Sequence, residues 1–174
     1  LIHPLVSGNK FFKLKYNLEK AISGGFDKIL TFGGAYSNHI FATAEAAQAA
    51  NLNSIGIIRG EKVEPLNPTL VHAESLGMDL HFIDRSTYRL KEEASFLKNL
   101  VEQFVVFYLI PEGGTYELAI RRISEILEDD EHAYSHVATR IGTGDTFAGL
   151  AHTISHRQQL PRFCALKGPF IHPE

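Results

Sequence analysis

The sequence predicts an α/β fold in which a mainly parallel sheet is flanked by helices, and three observations favour it. Helical and strand-like hydrophobic patterns alternate along the 174 residues. Two predicted strands break directly into glycine-rich turns, at Gly33-Gly34 and at Gly142-Thr143-Gly144. Each of these turns leads into a predicted helix. Such a succession of strand, turn and helix is typical of parallel strands joined by helical connections.

In the first half of the chain the elements follow from hydrophobic spacing and from turn residues. The pattern predicts, in order, helix 14–23, strand 28–32, helix 40–50, strand 54–59, helix 69–76 and strand 80–83. On the first helix Leu14, Leu18, Ala21 and Ile22 share one face, and Gly24-Gly25 ends it.

Residues of other types mark the next boundaries. Ser37 or Asn38 can cap helix 40–50, whose many alanines favour a helix and allow close packing. The isoleucines of strand 54–59 suit buried β positions. A loop at 65–68 precedes helix 69–76, which Gly77 ends.

The second half continues the same alternation. It predicts helix 91–104, strand 107–110, helix 117–127, strand 135–140, a helix from about Thr146 and a strand-like stretch at 163–166. The acidic run at 128–131 is interpreted as a solvated linker between two of these elements.

Composition excludes several classes of function. A net charge of −3 without a long basic run argues against a nucleic-acid surface. No apolar stretch is long enough to span a bilayer, so we expect a cytoplasmic, soluble protein. The single cysteine, Cys164, cannot form an internal disulfide, and the nine histidines lack compact ligand spacing. We therefore expect no metal site.

Three segments carry groups that suit a phosphorylated aldehyde cofactor. Lys10 follows a turn-forming triplet and supplies an amine, while Ser37 and Asn38 supply a hydroxyl and an amide at a helix start. The loop 142–146 offers backbone N–H groups and threonine hydroxyls to an anion. Together they indicate pyridoxal phosphate, with the Lys10 amine as its Schiff-base partner.

The same segments carry a family resemblance that covers nearly the whole chain. They read Ser-Gly-Asn-Lys-x-x-Lys-Leu-x-Tyr from Ser7, Gly-Gly-Ala-Tyr-Ser-Asn-His from Gly33 and Gly-Thr-Gly-x-Thr-x-Ala-Gly-Leu from Gly142. In this order they resemble the 1-aminocyclopropane-1-carboxylate deaminase/D-cysteine desulfhydrase family, within the tryptophan-synthase-β-like, fold type II pyridoxal phosphate enzymes. The segments Asn67-Pro68-Thr69-Leu70 and Ile110-Pro111-Glu112-Gly113-Gly114-Thr115 extend the resemblance.

The resemblance implies a role for individual residues. Lys10 would anchor the cofactor and act as a base, and Lys13 would contact its phosphate. Ser37, which is also a catalytic candidate, would face the substrate carboxylate, and Asn38 the phenolic oxygen of the cofactor. His39 would join Ser37 and Asn38 in binding the substrate. The phosphate loop would comprise Gly142, Thr143, Gly144 and Thr146.

The residues taken alone leave other interpretations open. Lys10 and Lys13 can be solvated lysines at a helix start, although the helix dipole disfavours cations there. Ser37 or Asn38 can cap the helix without any ligand. His39 can belong to the packing, and 112–115 can be a plain loop between a strand and a helix.

Asp145 departs from the pattern of the resembled family, which favours Gly-Thr-Gly-Gly-Thr in the phosphate loop. A β-carbon then stands where glycine permits unusual dihedral angles, and a carboxylate stands near a phosphate dianion. In a partly desolvated site the repulsion can reach on the order of 2–3 kcal/mol. A side chain that points outward would avoid it.

The resemblance also implies a two-domain arrangement whose large domain is incomplete. The small domain would comprise residues 14–108, and residues 1–13 and 109–174 would form part of the large domain. Complete members are longer, mostly at the C-terminus, so we expect a fragment or a shortened relative. The residues that assist the chemistry and face the pyridine nitrogen would then lie outside this chain.

The function implied is a pyridoxal phosphate-dependent deaminase or lyase of amino acid metabolism that releases ammonia. Its substrate would be a small amino acid of the 1-aminocyclopropane-1-carboxylate or D-cysteine class, and relatives are commonly homodimers. A catalytically silent relative that keeps only the fold is the alternative. An unrelated nucleotide-binding domain is weaker, because neither Gly-x-x-x-x-Gly-Lys-Ser/Thr nor Gly-x-Gly-x-x-Gly occurs.

Overall fold

The computed structural model describes residues 9–114, 134–141 and 145–164. Side chains are described for 14–113, 134–139, 141 and 146–163. The chain divides into two compact units, Leu1–Gly114 and Thr115–Glu174. The predicted helix 117–127 and the acidic run 128–131 lie outside the described residues.

The first unit alternates helices and strands. Its elements are α1 (Asn9–Ser23), β1 (Lys28–Gly34), α2 (Asn38–Ala49), β2 (Asn53–Arg59), α3 (Pro68–Ser75), β3 (Met78–Ile83), α4 (Arg85–Arg89), α5 (Ala94–Phe104) and β4 (Tyr108–Ile110). A 3₁₀ turn at Glu112–Gly114 follows the last strand.

The four strands of this unit form one parallel sheet in the order β3-β2-β1-β4. In the register, Leu30 of β1 lies opposite Ile55 of β2 on one side and Leu109 of β4 on the other. The chain therefore proceeds from β1 to β3 in one direction and then returns to place β4 beyond β1. A parallel sheet with helical connections confirms the predicted fold class.

Both faces of the sheet are covered, as expected for parallel strands. Side chains alternate along β1, so that Ile29 packs with α1 and α2, whereas Leu30 and Phe32 pack on the opposite face. That opposite face is covered by Tyr88 of α4 and Leu100 of α5. A third apolar cluster joins α2 and α3 to β2 and β3.

The second unit is smaller in its described part. It contains β5 (Thr139–Ile141), α6 (Asp145–Ala151) and β6 (Arg162–Cys164). β5 and β6 are parallel, with Thr139 opposite Arg162. Ile141 and Leu150 are buried. The predicted strand 135–140 thus begins later, at Thr139, and an isolated bridge joins His136 to Gln159.

Two further predictions about elements are wrong. The predicted helix 91–104 begins only at Ala94, and an unpredicted helix, α4, precedes it. The Asp84 side chain caps α4 by accepting from the backbone N–H groups of Ser86 at 2.9 Å and Thr87 at 3.0 Å. Ile22, predicted to share one face of the first helix with Leu14, Leu18 and Ala21, is 54% exposed.

The buried face of α1 explains the position of Ile22. Leu14 and Ala21 are buried, and Asn17 is buried with them. At about 100° per residue Asn17 lies on one side of the Leu14–Ala21 direction and Ile22 on the other. The Tyr108 hydroxyl donates to Asn17 Oδ1 at 3.4 Å, so a polar residue occupies the face.

The predicted assignment of residues 14–108 to a small domain stays a prediction. In the structure α1, from Asn9, and β4, to Ile110, both belong to the first compact unit. Among the helices that the structure describes, none combines the length and apolar character that a bilayer crossing requires.

Candidate functional site

An open cleft of about 860 Å³ lies at the carboxyl edge of the sheet in the first unit. The residues that line it follow the ends of all four strands: the turn 34–37 after β1, Arg59 at the end of β2, Arg85 after β3 and Glu112 after β4. Here the strand order reverses, because β2 and β4 flank β1. Parallel α/β sheets bind ligands at this kind of switch point.

Gly33 allows the turn after β1 to lie against α2. A β-carbon at this position would lie 2.5 Å from Ile40 Cγ1 and 2.9 Å from Ser37 Oγ. The Ser37 N–H donates to the carbonyl oxygen of Gly34 at 3.0 Å and closes the turn. The missing side chain thus brings the start of α2 to the edge of the cleft.

Ser37 is the N-cap of α2. Its Oγ accepts from the backbone N–H groups of His39 at 3.2 Å and Ile40 at 3.4 Å. The predicted capping role is therefore confirmed for Ser37, and Asn38 is the first residue of the helix. The hydroxyl proton of Ser37 is not used by these two bonds and can be donated to a ligand in the cleft.

His39 is buried beneath the turn, where it contacts the sheet. Its Nε2 lies 2.8 Å from Thr31 Oγ1, and that hydroxyl donates to the carbonyl oxygen of Ile110 at 2.9 Å. Because a hydroxyl has one proton, Nε2 must be the donor to Thr31. The imidazole thereby links α2 to β1 and β4, and its substrate-binding role stays a prediction.

Asn67 ties a second helix to the same turn. Its Oδ1 caps α3 by accepting from Thr69 N at 2.9 Å and Leu70 N at 3.3 Å. Its Nδ2 donates to the carbonyl oxygen of Ala35 at 3.0 Å. One amide side chain therefore starts α3 and fixes the turn that presents Ser37.

The cleft carries more positive than negative charge. Among the described residues, Arg59, Arg85, Arg89 and Lys91 line it together with one carboxylate, that of Glu112. Lys91 Nζ lies 3.5 Å from Glu112 Oε2 and 3.6 Å from Glu92 Oε1. Within 14–113, none of the three arginines forms an ion pair.

Tyr88 forms part of the cleft wall although it is only 3% exposed. Its ring packs edge-on against Phe32, and both Arg59 and Lys91 lie over it. Its hydroxyl has no hydrogen-bond partner among the described groups. Burial, and after it the negative charge of Glu112, raises the pKa of Tyr88, so the hydroxyl stays protonated.

The structure brings together only some of the predicted site residues. Lys10 and Lys13 lie in the first turns of α1, so the helix has begun at Lys10, but their side chains lie outside the described ones. Gly142, Thr143 and Gly144 lie outside the described residues. Thr146 is the second residue of α6, in the second unit.

The sequence did not predict the basic residues of the cleft or Tyr88. Each of the residues Arg59 and Arg85 stands at or just after the end of a predicted strand. In a parallel sheet those ends meet at one edge, and that signal could have drawn attention to them. The direction of their side chains depends on the sheet order.

The donors of the cleft suit a small ligand with phosphate or carboxylate groups. In the described part of the chain they comprise the Ser37 hydroxyl, the buried Tyr88 phenol and an excess of cations. A volume of about 860 Å³ is in the range of pockets that hold cofactors and substrates. Pyridoxal phosphate and an amino acid both carry such anionic groups.

Comparisons with known proteins agree with the resemblance in sequence. No family model matches the chain. The chain is 30% identical over 152 residues to a "Putative 1-aminocyclopropane-1-carboxylate deaminase" of Pyrococcus horikoshii, covering 84% of the chain and 46% of the relative. It is 32% identical over 164 residues to the "Bifunctional D-cysteine desulfhydrase/1-aminocyclopropane-1-carboxylate deaminase, mitochondrial" of Arabidopsis thaliana, covering 84% and 41%.

A solved structure gives the same result. The crystal structure of an "ACC deaminase homologue" superposes with a TM-score of 0.68 at 30% identity, over 84% of this chain and 46% of that one. The chain thus spans about half the length of the curated relatives it matches. By sequence and by fold, it is a relative of the 1-aminocyclopropane-1-carboxylate deaminase/D-cysteine desulfhydrase family of fold type II pyridoxal phosphate enzymes.

Proposed function

We propose that the chain serves a pyridoxal phosphate-dependent deaminase or lyase that acts on a small amino acid and releases ammonia. The observation that carries the proposal is the Ser37 turn, which opens into a cationic cleft at the carboxyl edge of the sheet. The names of the relatives support 1-aminocyclopropane-1-carboxylate or D-cysteine as the class of substrate.

Ser37 and Asn38 would hold the substrate and orient the cofactor. The Ser37 hydroxyl donates to the substrate carboxylate, which the positive end of the α2 dipole also favours. Asn38 is exposed at the first position of α2, where its amide can face the phenolic oxygen of the cofactor. His39 and Asn67 would keep this turn in place from behind.

Lys10 and Lys13 would serve the cofactor from α1. When bound, pyridoxal phosphate withdraws electrons from the α-carbon of the amino acid. Lys10 Nζ would attach the cofactor and afterwards accept a proton from the substrate carbon. Lys13 follows three residues later in the same helix and would contact the phosphate.

The phosphate loop would comprise Gly142, Thr143, Gly144 and Thr146. Backbone N–H groups and threonine hydroxyls of this kind hold phosphate well. Asp145 adds a negative charge beside them, and we expect it to weaken cofactor binding.

Visible absorption of the purified chain with added pyridoxal phosphate tests the proposal. We expect a protein-bound band that disappears in Lys10→Ala, because only Lys10 attaches the cofactor. Borohydride reduction followed by peptide mass spectrometry should find the label on Lys10. Lys15→Ala is the matched control, because it removes an exposed lysine of the same helix and should leave the band unchanged.

Other results would contradict the proposal or refine it. A band that persists in Lys10→Ala shows non-specific attachment and contradicts the assigned role. If no band forms in the wild type, Asp145→Gly tests whether repulsion in the phosphate loop is the cause. No band in that variant either would favour a relative that keeps the fold without the chemistry.

Two further proposals concern the whole protein. We propose that it is cytoplasmic and forms a homodimer, as the resemblance implies. Light scattering of the purified protein measures its mass in solution, and a monomer would contradict the second of these proposals.

A further inference from the structure

We propose that the cleft contains a subsite, built by Arg59 and Tyr88, that binds the anionic side-chain group of an amino-acid substrate. Arg85 and Arg89 line the same cleft. The group is a carboxylate or a phosphate, so the substrate resembles aspartate or O-phosphoserine in charge. This inference rests on the reaction type of the proposed function, but it assigns an anionic substrate side chain in place of the neutral one that the names of the relatives suggest.

Two observations place the Arg59 guanidinium at the wall of the cleft. A β-carbon built at Gly34 would lie 3.5 Å from Arg59 Nη2, so the guanidinium lies beside the end of the neighbouring strand β1. Its Cζ lies 5.7 Å from the centre of the Tyr88 ring. The Arg59 side chain is exposed, and its guanidinium can present N–H groups as a planar fork, which binds carboxylate or phosphate in a bidentate manner.

Tyr88 supplies a hydroxyl that lies near the Glu112 carboxylate but has no described partner within ordinary hydrogen-bond distance. Its side chain is buried to 97%, lines the cleft and has a hydroxyl without a hydrogen-bond partner among the described groups. Buried hydroxyls in native proteins almost always have a partner, so an orphaned one points to a ligand. The phenol keeps its proton at neutral pH and can therefore donate to an anionic oxygen.

The charges of the cleft favour an additional anion. Lys91 is neutralised by Glu92 and Glu112, whereas Arg59, Arg85 and Arg89 form no ion pair within 14–113. The Ser37 turn already provides for the α-carboxylate of an amino acid. A neutral substrate side chain would leave the arginines without a counter-charge, and an anionic side chain would neutralise them in part.

Calorimetric titration of the 174-residue chain with amino-acid probes tests the inference. The probes are both enantiomers of aspartate and of O-phosphoserine, each compared with serine of the same hand. Serine is small and neutral, so it isolates the contribution of the anionic group. We expect at least one anionic probe to bind about tenfold more tightly than serine, as for a charge-assisted hydrogen bond.

Two variants locate the effect, and a third controls for net charge. Arg59→Gln should reduce the tenfold preference to about twofold, and Tyr88→Phe should reduce it about threefold. Tyr88→Phe keeps the ring that packs against Phe32, so a merely structural role of Tyr88 would leave the preference unchanged. Lys20→Gln removes an exposed positive charge outside the cleft and should have no effect.

The outcomes separate this inference from the proposed function. Equal affinity for serine and for both anionic probes would overturn the subsite, and so would a preference that survives Arg59→Gln. Preference for aspartate alone identifies a carboxylate, and preference for O-phosphoserine alone identifies a phosphate. The cofactor band depends on Lys10 and the probe preference on Arg59, so either result can fail while the other stands.

Discussion

At the scale of single residues, Thr31 holds the edge of the site together. Its hydroxyl is fully buried, donates to the Ile110 carbonyl oxygen and accepts from His39 Nε2. Three elements, β1, α2 and β4, therefore meet at one oxygen atom. A buried group that loses its partner costs on the order of 1–3 kcal/mol.

Thr31→Val should consequently destabilise the chain more than its small change in shape suggests. It leaves the Ile110 carbonyl oxygen and the His39 N–H without the hydroxyl, so we expect a loss of about 2–4 kcal/mol. Thr31→Ser keeps the hydroxyl and removes one methyl group, which should cost about 1 kcal/mol. Urea denaturation measures both. Equal losses in the two variants would contradict the role given to the hydrogen bonds.

Tyr88 should make stability fall at alkaline pH. Burial, then the Glu112 carboxylate, raises its pKa in the folded state above the ordinary value of 10.0. Below about pH 10 the phenol is neutral in both the folded and the unfolded state, so its contribution to the free energy of unfolding is fully present. As pH rises above that value the unfolded chain ionises first, and stability falls by up to about 1.4 kcal/mol per pH unit.

Denaturant midpoints measured between about pH 9 and pH 11 test this pH dependence. Tyr88→Phe should remove the tyrosine contribution to the slope. Tyr134→Phe is the control, because Tyr134 is an exposed tyrosine of the second unit. Identical slopes in the wild type and Tyr88→Phe would show that another group causes the alkaline loss.

How well these residues could be predicted from the sequence depends on how far apart in the chain their contact partners lie. Ser37 was a candidate because a cap is a local feature, set by residue type and by the helix that follows. The partner of His39 was not predictable, since Thr31 and Ile110 meet it only through the pairing of β1 with β4. Arg59 and Tyr88 were missed for the same reason.

At the scale of elements, the approach of α2 to β1 depends on Gly33. A β-carbon there would overlap Ile40 and Ser37 at 2.5 Å and 2.9 Å, so α2 would have to move. Gly33→Ala should cost about 1–3 kcal/mol, as in other overpacked sites. Gly34→Ala is the matched control. Its β-carbon would lie at an ordinary 3.5 Å from Arg59 Nη2 and should cost less than about 1 kcal/mol.

Thermal and urea unfolding of the two alanine variants provide the comparison. Gly33→Ala should also displace the Ser37 cap and raise hydrogen exchange at the first amides of α2. If Gly34→Ala were the more damaging variant, close packing at Gly33 would not be what positions the helix.

Asn67 links α3 to the turn before α2, and the roles of its side-chain oxygen and its side-chain N–H group can be tested separately. Asn67→Ala removes the cap of α3 and should cost about 1 kcal/mol. Asn67→Asp keeps the capping oxygen but loses the N–H donor to Ala35. We expect it to retain most of the stability while exchange of the Ser37 amide becomes faster.

Hydrogen exchange followed by mass spectrometry distinguishes the role of the Asn67 oxygen from that of its N–H group. Faster exchange at Ser37 in the alanine variant but not in the aspartate variant would assign the effect to the cap alone. The packing of α3 would then hold the turn in place, and the hydrogen bond to Ala35 would not be required.

The elements that the sequence missed are short. α4 has five residues and therefore shows no helical periodicity, although Asp84 was a capping signal before it. The long strands and helices, such as β1 and α2, were predicted because several turns or pleats repeat the same pattern. Strand β5 was misplaced because 135–140 contains few apolar residues with which to fix its start.

At the scale of the whole molecule, the alternation of elements predicted a parallel sheet but not the order β3-β2-β1-β4. The order depends on α4 and α5 covering the face opposite α1, α2 and α3, which brings β4 beyond β1. The cleft is a consequence of that reversal, so its basic lining could not be predicted before the topology was known.

The distribution of the apolar clusters predicts how the chain unfolds. All three described clusters belong to the first unit, and the described part of the second unit buries mainly Ile141, Leu150 and Gln158. Each unit is compact by its own contacts. We therefore expect two transitions in urea rather than one, since stability is not uniform across such a chain.

Thr31→Val supplies the decisive comparison, because its lost hydrogen bonds lie entirely in the first unit. Peptides from the first unit should lose protection against hydrogen exchange at lower urea in this variant, while peptides from the second unit keep their wild-type midpoint. A common midpoint that shifts for both sets of peptides would show that the chain unfolds as one cooperative body.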